Sequence, residues 1–107
     1  MTTARPAVSI LMASKDEPVE RLDRAMGELL AQTFTDFEIV LIDDGSTDER
    51  CREAYRNWAA RDPRVRLFAE ANRGLAAALN FGLGHCRAEL VARHDSDDWS
   101  SEQRLEL

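Results

Sequence analysis

Four short apolar runs, each followed by a stretch with helical spacing, constrain this 107-residue chain more than any other feature. Val8-Ser9-Ile10-Leu11-Met12-Ala13 is nearly continuous in apolar character, as expected of a strand covered on both faces. Phe37 to Ile42, Val65 to Phe68 and Leu90 to Arg93 read as three further strands. Between them, Val19, Leu22, Met26, Leu29 and Leu30 recur at helical spacing, and so do Cys51, Ala54, Tyr55, Trp58 and Ala59. A third helix is expected to turn Leu75, Ala78, Leu79, Gly82, Leu83 and Cys86 inward. Strand–helix alternation of this kind predicts a three-layer α/β fold: a mainly parallel sheet of about four strands with helices on both faces. The length suits one domain, residues 1–107.

The punctuation supports these limits. Pro18 suits the first turn of the first helix, with Asp16 or Glu17 at its positive end. Ser46 and Glu49 form a capping-box pattern for the second helix, and Arg61-Asp62-Pro63 stops it. Gly82 is expected to permit a close helix–sheet contact, and Gly84 to belong to a C-terminal cap. Ser100 with Gln103 repeats the capping pattern and opens a last helix.

Acidic residues collect where strands end. Asp43-Asp44-Gly45-Ser46 reads as the exit loop of the second strand, and Asp95-Ser96-Asp97-Asp98 follows the fourth. Unpaired carboxylates this close repel one another, and a divalent cation relieves that repulsion. Mg2+ and Mn2+ prefer oxygen ligands, commonly one or two carboxylates plus substrate phosphates. In parallel α/β sheets ligands bind outside the carboxyl ends of the strands, where the strand order reverses. Ser14, Asp44 and Asp97 each lie just past an expected strand, so each can point into such a crevice. The bland alternative is a pair of solvated turns whose aspartates cap helices. A calcium loop fits less well, because Trp99 and Ser100 fall where that pattern wants a ligand and a glycine. No Gly-rich turn follows the first strand and no Gly-Lys-Ser/Thr loop occurs, which argues against a nicotinamide-cofactor domain and a P-loop. His85 suits a helix end, and His94 adjoins the acids as a candidate supporting residue.

The formal charge of −6 argues against a nucleic-acid surface, which needs clustered Lys and Arg. No apolar run approaches the roughly 20 residues of a membrane span, and the N-terminus lacks the pattern of a signal peptide. Cys51 and Cys86, both placed in helices, have no metal-ligand spacing and read as reduced thiols of a cytoplasmic protein.

Four blocks in order resemble the family 2 glycosyltransferases, with their Rossmann-like GT-A nucleotide-sugar fold. They are Val8 to Ser14, Ala31 to Asp48, Asn72 to Asn80 and Asp95-Ser96-Asp97-Asp98. The resemblance implies the amino-terminal, donor-binding part of such an enzyme. Ala13, Ser14 and Lys15 would line the base and ribose pocket, and Asp44 with Asp43 would bind the base. Arg73 and Gly74 would approach the nucleotide, and Asp95 would face the ribose or donor sugar. Asp97 would ligate Mn2+ or Mg2+, and Asp98 takes that place if the motif is read one residue later. The implied partner is a nucleotide-diphosphate sugar, a UDP-sugar for preference. The family often has Pro at Ala13 and Tyr or Asn near Lys15 and Asp16, so the aromatic that would stack on the base is missing from its usual place.

In that family the general base and acceptor site lie well beyond the position of Leu107. The expectation is therefore an inverting, metal-dependent transferase represented here by its donor site, with little or no transfer by these residues alone. Two alternatives stand beside it. One is a catalytically inactive fragment that forms homodimers through an exposed sheet edge. The other is a nucleotidyltransferase-like domain, although Ser14-Lys15-Asp16-Glu17 lacks the glycines of its usual loop. Whether a parent chain associates with a membrane is not legible in these residues.

Overall fold

The structure is a computed structural model, and it describes residues 6–32 and 35–94. The chain runs β1 (Val8–Ser14), α1 (Val19–Leu30), β2 (Phe37–Asp44), α2 (Glu49–Arg61), β3 (Val65–Glu70), α3 (Leu75–Leu83) and β4 (Leu90–Arg93). The four strands form one parallel sheet in the order β3-β2-β1-β4. The alternation read from the sequence is thus the observed architecture. The last expected helix, opened by Ser100, lies outside the described residues.

Side-chain alternation along the strands builds two cores. Ile10 and Met12 of β1, with Phe37, Ile39 and Leu41 of β2, pack against Leu22, Met26 and Leu29 of α1 and Tyr55 and Trp58 of α2. Leu11, Ala13, Val40 and Ile42 face the other way, toward Ala78 of α3. β2 is buried along its whole length. Fully enclosed strands read as continuous apolar runs, which is why β1 and β2 were clear in the sequence.

Several limits differ from expectation. β2 extends through Asp43 and Asp44, so the acidic pair closes the strand rather than forming its exit loop. α2 begins at Glu49 with Asp48 as its N-cap, whose carboxylate accepts from Arg50 N–H; Ser46 is used elsewhere. Asp48 takes the capping role with its own carboxylate, in place of the expected Ser46. On α3, Leu75 and Leu83 are exposed rather than inward, and Cys86 lies past the helix end. The nine-residue helix covers the sheet mainly with its Ala78 and Gly82 side, and Leu79, Phe81 and, past the helix end, Cys86 pack half-buried against the same core. Gly82 does make the close approach: a Cβ there would collide with Leu11 and lie 2.9 Å from Ile42 Cγ1. Gly84 is the C-cap of α3. His85 stacks on Phe68 and Phe81, with ring centroids 4.3 and 4.6 Å away.

Glu38 is a structural centre that sequence reasoning missed. It is a glutamate near the amino end of the interior strand β2, almost wholly buried. Oε2 accepts from Ser9 Oγ at 2.6 Å and Arg87 N–H at 2.7 Å, and Oε1 accepts from Arg66 Nη1 at 2.8 Å and Arg87 Nε at 2.9 Å. Ser9 Oγ in turn accepts from Ala88 N–H, and Arg66 also donates to the His85 carbonyl. Both segments flanking Arg87 are thereby tied to the sheet. Burial alone would raise the Glu38 pKa; the Ser9 hydroxyl, the Arg87 amide and the two guanidinium groups outweigh it and lower it from 4.5 to about 2.

A carboxylate with a depressed folded pKa stabilises above its unfolded value and stops doing so as pH falls through its folded value. The Glu38 contribution is therefore complete above pH 4.5 and disappears toward about pH 2. The shift corresponds to about 3 kcal/mol at 1.36 kcal/mol per unit. Denaturant unfolding should find Glu38→Gln less stable by about 2–4 kcal/mol near pH 7, because its donors lose a charged acceptor. The gap to the unsubstituted chain should narrow steadily between about pH 4.5 and pH 2.

Candidate functional site

Because β2 and β3 lie on one side of β1 and β4 on the other, the strand order reverses between β1 and β4. The crevice expected of such folds therefore opens at the carboxyl edge beside β1. Ser14 ends β1 level with Asp43 of β2, and Asp44 follows. Ser14, Asp43 and Asp44 thus stand together on that edge. β4 also runs toward it, and His94 N–H bonds to the Leu11 carbonyl as the described chain ends. Asp95, Asp97 and Asp98 lie outside the described residues.

Each acid has a defined occupation. Asp43 Oδ1 accepts from Ser46 N–H at 2.9 Å, closing the turn after β2. Asp44 holds a different loop: Oδ1 accepts from Arg73 N–H at 2.9 Å and Oδ2 from Gly74 N–H at 3.1 Å. Its carbonyl accepts from Asn72 Nδ2 at 3.2 Å. Asp44, Arg73 and Gly74, expected at one site, are brought together by direct bonds. Each Asp44 oxygen retains a second lone pair for another donor. The Arg73 side chain is exposed, with Nε 3.7 Å from Glu70 Oε1.

Gly45 makes this arrangement feasible. Its φ is +78°, and a Cβ would lie 2.6 Å from the Asn72 backbone nitrogen. The β2–α2 and β3–α3 connections touch backbone to backbone here, where no other residue fits.

Tyr55 and Asp16 complete the edge, and sequence reasoning gave neither this role. Tyr55 is buried on α2, and its hydroxyl shares a 2.6 Å hydrogen bond with Ser14 Oγ. Burial raises its pKa, although hydrogen bonding to Ser14 and Ser46 opposes the rise. A buried Tyr normally finds a hydroxyl partner, and that was the only available signal. Asp16 was expected to serve α1; its carboxylate instead faces the start of α2. Ala13 is buried in the α3-side core, and Lys15 is exposed on the β1–α1 loop.

Among the described residues, no group of three His, Cys, Asp or Glu side chains is placed to hold a metal ion. Asp44 has both oxygens on backbone amides and Asp43 has one, so these two acids do not form a metal site by themselves.

Residues 9–107 match the family described as Glycosyl transferase family 2. The chain belongs to glycosyl transferase family 2. It is 38% identical over 104 residues to the uncharacterized glycosyltransferase EpsJ of Bacillus subtilis, covering 94% of this chain and 29% of EpsJ. It is 37% identical over 109 residues to the UDP-Gal:alpha-D-GlcNAc-diphosphoundecaprenol beta-1,3-galactosyltransferase of Escherichia coli, covering 99% of this chain and 39% of that enzyme. Among solved structures, it resembles the mannosyltransferase PcManGT from Pyrobaculum calidifontis in complex with GDP-Man and Mn2+. There the TM-score is 0.76 at 30% identity, over 89% of this chain and 28% of PcManGT. S. aureus TarS 1-349 in complex with UDP gives a TM-score of 0.74 at 27% identity, over 92% of this chain and 30% of that protein. This family 2 chain thus spans well under half the length of these relatives, and its fold is that of glycosyltransferases crystallised with GDP-Man or UDP.

Gly45→Ala should destabilise this family 2 chain by about 2 kcal/mol, through strain at positive φ and collision with the Asn72 backbone. Chemical denaturation followed by circular dichroism measures the loss.

Proposed function

We propose that this chain, residues 1–107 as one domain, is the donor-binding part of an inverting glycosyltransferase and takes a nucleotide-diphosphate sugar. The observation that carries the reading is Ser14, Asp43 and Asp44 closing the adjacent strands β1 and β2 at the carboxyl edge, with β1 bordering the point where the strand order reverses. Polar groups at the strand ends beside such a switch point are suited to a nucleotide. Ala13, Ser14 and Lys15 are assigned to the base and ribose side. The remaining lone pairs of Asp44, with Asp43, are assigned to donors on the base. Arg73 and Gly74 border the nucleotide, and Asp95 is assigned to the ribose or sugar.

The divalent ion, Mn2+ or Mg2+, is assigned to Asp97 or Asp98, outside the described residues. The Asp-x-Asp pattern and the Mn2+ in the PcManGT complex support this. When bound, such an ion offsets charge on a departing diphosphate. The TarS and PcManGT complexes support UDP and GDP as the probes to use first. No described helix is long and apolar enough to cross a membrane, and a cytoplasmic site of action accords with the free thiols of Cys51 and Cys86.

Titration calorimetry with UDP and GDP, each with and without Mn2+, tests the proposal. Metal-dependent binding of one nucleotide, weakened at least about tenfold by Asp97→Ala, supports it; each factor of ten is about 1.4 kcal/mol. A folded chain that binds neither nucleotide would falsify it.

A second reading rests on β4. This strand exposes Leu90 (58%) and Val91 (39%), and among the described residues only β1 pairs with it. Antiparallel pairing with a second copy, centred on Val91, would set Glu89 opposite Arg93 twice. Light scattering should then show a homodimer, and Val91→Lys should return it to monomer. A monomer at about 1 mM, the weak end of measurable association, removes this reading.

A further inference from the structure

The β1–α1 loop is fastened to α2 and the turn before it at three places. Ser14 bonds to Tyr55, and the Glu17 carbonyl accepts from Cys51 Sγ at 3.1 Å. Asp16, between them, makes four bonds. Its N–H donates to Ser46 Oγ at 2.8 Å. Its Oδ1 accepts from Thr47 N–H and Asp48 N–H, both at 2.8 Å, and its Oδ2 accepts from Thr47 Oγ1 at 3.0 Å. Asp16 reaches them from φ +50°, a left-handed conformation that Asp tolerates better than most residues.

We propose that Asp16 is a positioning residue for the nucleotide site: by holding the turn before α2, it fixes the β1–α1 loop, with Ser14 and Lys15, against the Asp43–Ser46 turn. The inference rests on the donor-site reading and deepens it. The geometry explains why a carboxylate serves here. Thr47 N–H and Asp48 N–H precede the first turn of α2, at the positive end of its dipole. Asp48 caps the Arg50 amide within that turn. With both carboxylates in place, the α2 entrance is filled by the protein's own anions. Asp16 therefore joins the loops rather than receiving phosphate there. The two residues that precede it in the chain, Ser14 and Lys15, are among those assigned to the base and ribose side. A loop fixed before the ligand arrives spares the ordering cost of binding.

The amide bond from Asp48 is the main influence lowering the Asp16 pKa, so the carboxylate stays ionised through the neutral range. Lys15 beside it also lowers the pKa, Asp48 bonds to it through its N–H, and Glu17 follows it in the chain.

The test compares the unsubstituted chain with Asp16→Ala and Asp16→Asn. Affinity for UDP and GDP, thermal unfolding, and hydrogen exchange of the Thr47 and Asp48 amides are measured on each. Asp16→Ala should weaken nucleotide binding about tenfold, an amount typical of lost preorganisation, while Tm falls by only a few degrees. The Thr47 and Asp48 amides should lose protection together. Asp16→Asn keeps an oxygen for both amides and should restore affinity to within about threefold. Affinity unchanged in Asp16→Ala, with the two amides exposed, overturns the inference. So does a joint loss of Tm and binding that Asp16→Asn fails to restore, which marks a residue needed only for folding. An unsubstituted chain that binds neither nucleotide defeats the donor-site reading and this positioning role with it; amide protection that still depends on Asp16 would then show the clamp to serve the fold alone.

Discussion

Three carboxylates lie inside one central strand, and most of the loop structure follows from satisfying them. Glu38, Asp43 and Asp44 of β2 are each about 95% or more buried. A buried charge is costly unless donors surround it. Glu38 draws in Arg66, Arg87 and Ser9; Asp43 closes the turn to Ser46; Asp44 holds the Arg73–Gly74 backbone. The strand that looks most like a plain apolar core element therefore organises three of the segments around it.

The two ends of β2 use this principle differently. At Glu38 the donors include two guanidinium groups, and the result is a closed ion-pair cluster with four bonds on two oxygens. Such a cluster ties down the approach to β4, because Arg87 and Ala88 lie three and two residues before its first residue, Leu90. At Asp43 and Asp44 the described donors are backbone amides, which satisfy the carboxylates without a neutralising cation. The carboxyl edge consequently remains acidic and retains unused lone pairs, while the opposite end of the strand is electrostatically complete. That asymmetry suits a ligand bearing N–H donors at this edge.

The same device recurs in Asp16, a carboxylate used as a mechanical link between loops. Together with Gly45, which lets the second and third connections touch, it makes the crevice wall a bonded unit rather than separate loops. The structural likeness to PcManGT with GDP-Man and to TarS with UDP extends over 89% and 92% of the chain.

Periodicity alone determined the order of strands and helices, because β1 and β2 are enclosed on both faces and α1 and α2 present regular apolar stripes. The acidic residues at strand ends were equally legible, and so was the close approach at Gly82. α3 misled because its apolar residues surround the helix, and only packing selects Ala78 and Gly82 as the buried side. Strand order, the bonds of Asp44 to Arg73 and Gly74, the reach of Asp16 to α2 and the ion pairs of Glu38 were decided by tertiary structure. The physical reason is separation along the chain: apolar spacing records what one segment buries, whereas a hydrogen bond between residues about thirty positions apart exists only once the sheet has set its register.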